Sequence, residues 1–221
     1  MRIDVMMHIN DAHEYDIDHA HIERKTQKQV ALVKHTYGDK VCLYYGEDMY
    51  EYVRKARKVP RVPVPGDYPQ KKYKDTCWGV EILKNGEHFV NAGRQNVFAG
   101  KKGIFSIYIP IDVFSFETGN LFVYTCGPRD TAFHYYCVYD EKDSCVGMIE
   151  RGTIGASGSR SRIYFEDEAY LLQMLLINME ITLTYIAGEE MRDSSAGNYI
   201  SFKKAELDRF DRALLERWKE I

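Results

Sequence analysis

The chain has no strong charge of either sign, no closely spaced cysteine pair and no long apolar run free of polar residues. Each absence removes a class. The formal net charge is −3 over 221 residues, so no global field recruits nucleic acid or anionic lipid, and any such binding has to be local. The five cysteines, Cys42, Cys77, Cys126, Cys137 and Cys145, are odd in number and scattered, without a CxxC pair. That argues against zinc-ribbon and thioredoxin-like readings. It points to a reducing compartment, cytoplasmic or within an assembled particle. The most apolar window, "AYLLQMLLINMEITLTYIAG" at 169–188, has the length of a membrane span. It carries Gln173, Asn178 and Glu180, with acidic residues at both flanks and no Lys or Arg nearby, so a buried core segment is expected and no membrane partner. The opening "MRIDVMMHIND" has a charge at Asp4 and no apolar stretch of the signal-peptide kind.

Proline is also scarce, but four of the six, Pro60, Pro63, Pro65 and Pro69, fall within ten residues. "VPRVPVPGDYP" is incompatible with helix or central strand and favours extended backbone. Basic residues surround it: Arg54, Lys55, Arg57 and Lys58 before, Lys71, Lys72 and Lys74 after. Arg61, Tyr68, Lys71, Lys72 and Tyr73 are therefore candidate contacts of an interaction arm, to a neighbouring protein or to a nucleic-acid backbone.

What the chain does have is tyrosine, 17 residues of it, suited both to strands and to surfaces half buried against a partner. Residues 2–9 alternate as a half-buried strand. Residues 22–36 read as a helix with Val30, Leu32 and Val33 on its apolar face, stopped near Gly38. "VCLYY" at 41–45 reads as a strand. "EDMYEYVRKARK" from 47 reads as a second helix, acidic first and basic last, matching the helix dipole. From Cys77 onward strands dominate. "WGVEILKNGEHFV" is a hairpin around Asn85-Gly86, the favoured type I′ pair. "IFSIYIPIDVF", "NLFVYTC", a second hairpin around 141–143 and "SRIYF" follow. Residues 167–175 read as a short helix and 177–186 as a strand, from the alternation of Ile177, Met179, Ile181, Leu183 and Tyr185. A terminal amphipathic helix is predicted from about 202, with Leu207, Phe210, Leu214, Trp218 and Ile221 on its stripe.

The expected fold is α+β: a predominantly antiparallel β body, an N-terminal β-α-β-α segment and a C-terminal amphipathic helix. The expected organisation is an α/β segment over 1–58, a proline-rich basic arm or linker over 59–75, and a β-rich body over 76–221.

Two stretches carry candidate chemistry. "HINDAHEYDIDHAH" at 8–21 holds four of the chain's seven histidines. His8, Asp11, His19 and His21 are its candidate metal ligands, a set suited to zinc or manganese, with His35 or His88 available to complete it. No HExxH or HxHxDH spacing is present, so the alternative is a solvated connection whose acids serve nearby amides. "ERGTIGASGSRSR" at 150–162 is a donor-rich basic loop in which Arg151, Ser157, Arg160 and Arg162 are candidate anion ligands. It lacks the GK[ST] ending of a phosphate-binding Walker loop. Cys137 and His134 fall on opposite faces of an alternating strand, which argues against a nucleophile pair.

The function these features favour is a non-enzymatic structural or interaction subunit of a larger protein assembly, of virus or phage particle type, oligomeric and needing no cofactor. A metal-dependent hydrolase or nuclease built on 8–21 is the alternative, with a phosphate- or nucleotide-binding module on 150–162 behind it. Replacing His19 and His21 together separates the first two. As a solvated connection, the double variant keeps the same metal content and shifts stability by no more than about 0.5 kcal/mol. Loss of stoichiometric zinc or manganese, followed by elemental analysis, would instead establish the hydrolase reading.

Overall fold

A computed structural model describes residues 2–9, 17–24, 29–36, 40–65, 75–102, 105–126, 133–152, 159–192 and 209–220. It contains twelve strands: β1 (Arg2–Ile9), β2 (Ile17–Arg24), β3 (Gln29–Thr36), β4 (Lys40–Tyr45), β5 (Asp48–Pro60), β6 (Thr76–Lys84), β7 (Glu87–Lys102), β8 (Phe105–Phe116), β9 (Gly119–Cys126), β10 (Phe133–Tyr139), β11 (Cys145–Gly152) and β12 (Ser159–Phe165). A 3-10 turn, Glu168–Tyr170, leads into α1 (Leu171–Arg192), and α2 (Arg212–Glu220) follows. Each strand pairs antiparallel with the next, and β1 pairs with β12, so the meander closes into a barrel.

The hairpins form where the turn chemistry demands them. Asn85 and Gly86 both take positive φ, 51° and 88°, as a type I′ turn requires. The Asn85 side chain ties the turn down, accepting from Met49 N at 2.9 Å and donating to Asp48 at 2.8 Å.

Twelve strands enclose more space than their own side chains fill; about eight is the number at which inward side chains alone suffice. An α-helix with side chains is about 10–12 Å across, and α1 occupies this interior. Its residues Met174 to Met179 are all buried in succession, on every side of the helix. They share one core with the inward residues of the wall, among them Ile3, Leu43, Ile82, Phe114, Ile149 and Phe165. A helix that is apolar all round has to be enclosed all round. Polar contacts fix its height. Tyr52 donates its hydroxyl to the Leu176 carbonyl at 2.8 Å, and Arg151 Nη1 donates to the Ile181 carbonyl at 3.3 Å. Gly147 lets Met174 approach the wall; a Cβ there would lie 2.5 Å from Met174 Cε.

Two apolar patches on the outside of the wall are covered by chain. Val62 and Val64 lie over Val97, Ile111, Val113 and Phe122. The buried Gln95 amide, with its nitrogen toward the carbonyl, bridges Val62 O and Val62 N at 3.1 Å each. Leu215 and Trp218 of α2 cover Cys137, Met148 and Tyr164. Asp211 caps α2, accepting from Leu214 N at 2.9 Å.

The antiparallel body is as expected, but the N-terminal β-α-β-α segment is not there. Residues 22–36 contain the end of β2 and all of β3, and residues 48–60 are β5. In β5, Tyr50 and Tyr52 point inward and are buried, and this period-two placement outweighs the dipole-matched charges that favoured a helix. The expected strand at 177–186 is likewise part of α1, because a barrel position exists for a helix buried on all faces. Of the expected terminal helix, Arg212–Glu220 is present and 202–208 lie outside the described residues. Among the described residues, no helix is long and apolar enough to cross a membrane.

Burial holds the Tyr52 hydroxyl well above its ordinary pKa, aided by the Glu180 charge, and burial with the Glu150 bond does the same for Tyr164. Raised phenol pKa values give a stability contribution that is whole below about pH 10, the ordinary tyrosine value, and lost as pH climbs through the raised values. On base titration, Tyr52 and Tyr164 should ionise only as the helical circular dichroism collapses. Complete tyrosinate formation in a still-folded barrel would contradict the burial.

Candidate functional site

Strand direction divides the barrel into two rims. The lower rim holds the turns after β4, β6, β8 and β10 and the start of α1; the upper rim lies at the opposite strand ends. On the upper side, β7 with 16 residues and β8 with 12 are among the longest strands. With β5 and β6 they form a lip.

Across this lip runs one row of register partners: Lys58 opposite Trp78, Trp78 opposite Arg94, and Arg94 opposite Asp112. The row continues the parity of the inward residues Ile82, Val90, Ala92 and Phe114, so it sits on the lumen side, above the core. Trp78 is 59% exposed and is the one exposed large hydrophobic among the described residues. The Lys58 ammonium stands 3.8 Å from the centroid of its ring, a cation–π pair. Arg94 forks onto Asp112, with Nε–Oδ1 at 2.7 Å and Nη2–Oδ2 at 2.8 Å. Those bonds, with the charges of Asp112 and Glu180, raise the Arg94 pKa further and keep it cationic. A cavity of about 220 Å³ lies beside the row, bounded by Trp78, Gly79, Gly93, Arg94, Asp112 and Glu180 of α1.

Two glycines let β5, β6 and β7 approach here. A Cβ on Gly79 would strike the Ala92 carbonyl and lie 2.7 Å from Val59 Cγ2; one on Gly93 would lie 2.7 Å from the same methyl and 2.8 Å from Cys77 Sγ. The sequence puts neither residue in a turn, so close packing is the reason for both.

The lower rim is of opposite sign in the sector from β8 to α1. Glu117, then Asp140, Glu141 and Asp143, then Glu166, Asp167 and Glu168 lie in or beside its turns. A cavity of about 450 Å³ opens there, with Phe116, Leu121 and Tyr170 on its walls and Asp140, Glu141 and Asp167 at its edge. Those three carboxylates accept from neutral donors: Asp140 from Lys142 N and Ser144 N, Glu141 from Asn120 N and Nδ2, Asp167 from Ala169 N. Lys142 also lines the cavity, and among the described residues no ion pair joins a cation to these three carboxylates, so the edge carries an excess of negative charge.

The residues singled out from sequence distribute as follows. The register pairs His8 with His19 and Met6 with His21, so three of the four candidate metal ligands stand on adjacent strand positions. Their side chains and Asp11 lie outside the described residues. Elsewhere among the described residues no group of three or more His, Cys, Asp or Glu side chains is placed to hold a metal. Arg151 is buried in the lumen, whereas Arg162 is on the outer wall, 3.4 Å from Glu150. The wall therefore separates two of the candidate anion ligands. Ser157 and the Arg160 side chain lie outside the described residues. In the arm, Arg61 Nη2 donates to the Asn96 carbonyl at 3.1 Å and Arg61 N to the Asp75 carbonyl at 2.9 Å, so its first residues run along this chain's own wall. Tyr68, Lys71, Lys72 and Tyr73 lie outside the described residues. Sequence reasoning passed over Trp78 and Arg94, whose signal is register across three strands.

Comparison with protein-family models, with curated proteins and with solved structures gave no match.

Gly79→Ala tests the geometry of the lip. The added methyl meets backbone, which cannot swing aside, so a loss of about 1–3 kcal/mol or more is expected in denaturant unfolding. Wild-type stability in that variant would show that the strands do not approach as described.

Proposed function

We propose that this chain is a non-enzymatic interaction subunit that engages an acidic protein surface through the lip of its upper rim. The observation that carries the reading is the Lys58–Trp78 pair. A tryptophan left 59% exposed, with an ammonium on its ring, offers a large apolar anchor and a cation at one point. Tryptophan is among the residues that dominate the energetics of protein contacts, and the ammonium beside it favours an acidic partner. The surrounding sequence supports the sign of the partner. Arg54, Lys55 and Arg57 share β5 with Lys58, and Lys101 and Lys102 end β7. Arg57 is paired with Glu81 at 2.6 Å and Arg94 with Asp112, so of these three described cations Lys58 is the most available to a partner's carboxylate. The filled lumen supports the reading as well, since it leaves rims and outer wall as the working surfaces.

A photoreactive residue at position 76, exposed and two residues from Trp78 on the same face of β6, is expected in the full chain in its own cell to give a discrete protein adduct that Lys58→Glu abolishes. The same residue at position 216, on the exposed side of α2, should give none. Adducts to nucleic acid or lipid alone, or no adduct at 76, would overturn the proposal.

A further inference from the structure

The acidic surface that fits the lip is present on the chain itself. We infer that copies of this chain associate head to tail, the Trp78 lip of one entering the acidic cavity on the lower rim of the next. This rests on the reading of the lip as a protein-binding surface, and it names the partner as a second copy.

Shape and charge agree on the match. The lip presents an exposed indole with the Lys58 ammonium 3.8 Å from its ring. The lower cavity has about 450 Å³ of space, apolar walls in Phe116, Leu121 and Tyr170, and three carboxylates against the single cation Lys142 at its edge. An indole inserted there exchanges water for aromatic and aliphatic contact, and the ammonium above it meets Asp140, Glu141 or Asp167. The two surfaces sit at opposite ends of the barrel, so the contact is heterologous. Such a contact does not close on itself in a pair, and it leaves one free lip and one free cavity at the ends of any chain of copies.

The test uses two full-length variants that each lose one end: Trp78→Ala with Lys58→Glu for the lip, and Thr118→Lys with Glu141→Lys for the cavity, which Thr118 and Glu141 both line. Thermal melts confirm folding, and Thr118→Lys alone replaces the second double variant if Glu141 proves necessary for its turn. Sedimentation velocity of the wild type should show mass rising with concentration. Raising ionic strength from about 0.05 M to about 0.5 M, which shortens the screening length, should lower the assembled fraction several-fold. Each variant alone should remain monomeric. Mixed one to one, they should give dimers and nothing larger, since each supplies the end that the other lacks. A monomeric wild type at every concentration, assembly unaffected by either variant, or a mixture that stays monomeric would overturn the inference. A monomeric wild type, with cross-links from position 76 to a different protein, would leave the lip as a binding surface and remove self-association.

Discussion

The structure depends on the need to fill a twelve-stranded barrel. A closed sheet satisfies every backbone group in its wall, but at this strand number its inward side chains cannot meet across the middle. The chain solves this by following its last strand with a helix that is apolar on all faces and sheathed by the wall. Neither part is stable on its own terms. The helix without the wall would expose leucine, isoleucine and methionine all round, and the wall without the helix would enclose a void. Tyr52 and Arg151, both donating to helix carbonyls, set the depth at which the helix sits. Glu180 therefore arrives beside Trp78 and Arg94 because the core has fixed the helix, and the upper cavity inherits its position from packing far below it.

With the interior occupied, differences between regions of the surface become the informative feature. Both apolar patches on the outer wall are covered by the chain's own segments, residues 62–64 over one and α2 over the other. The Trp78 lip is treated differently: its ring stays exposed, with the Lys58 ammonium against it. Among the described residues this is the large apolar side chain left open, and the same rim sector is rich in cations while the far rim is rich in carboxylates.

Much of the β body was legible in the sequence because alternation and turn chemistry agree there. Asn85-Gly86 gave the hairpin its turn, and "VCLYY", "NLFVYTC" and "SRIYF" are strands where the pattern puts them. The errors have one cause: local patterns were asked to decide what tertiary surroundings decide. The acidic-to-basic order of 47–58 looked helical, while Tyr50 and Tyr52 two residues apart held the contrary signal. Ile177, Met179, Ile181 and Leu183 alternate, yet Asn178 and Thr182 between them are buried too, as are Leu175 and Leu176 just before. Burial of both parities is tolerable on a helix inside a barrel and had no meaning before the barrel was known. The lip was legible only in part. The basic stretch 54–74 drew attention to Lys58 and Arg61, but the alignment of Lys58, Trp78 and Arg94 is set by pairing between strands that sequence distance separates.

The pairing of β1 with β12, Arg2 opposite Tyr164, has a consequence for how the chain reaches this state. A growing polypeptide has its first strand early and its final wall strand only after some 160 residues, with the filling helix later still. Until then the sheet has two open edges and an unlined apolar interior, both prone to unintended pairing. Contacts this distant in sequence also slow folding, because loop closure is costly before the ladder rewards it. Closure of this wall therefore waits for β12, and filling of its interior for α1, the parts of the barrel that are made last.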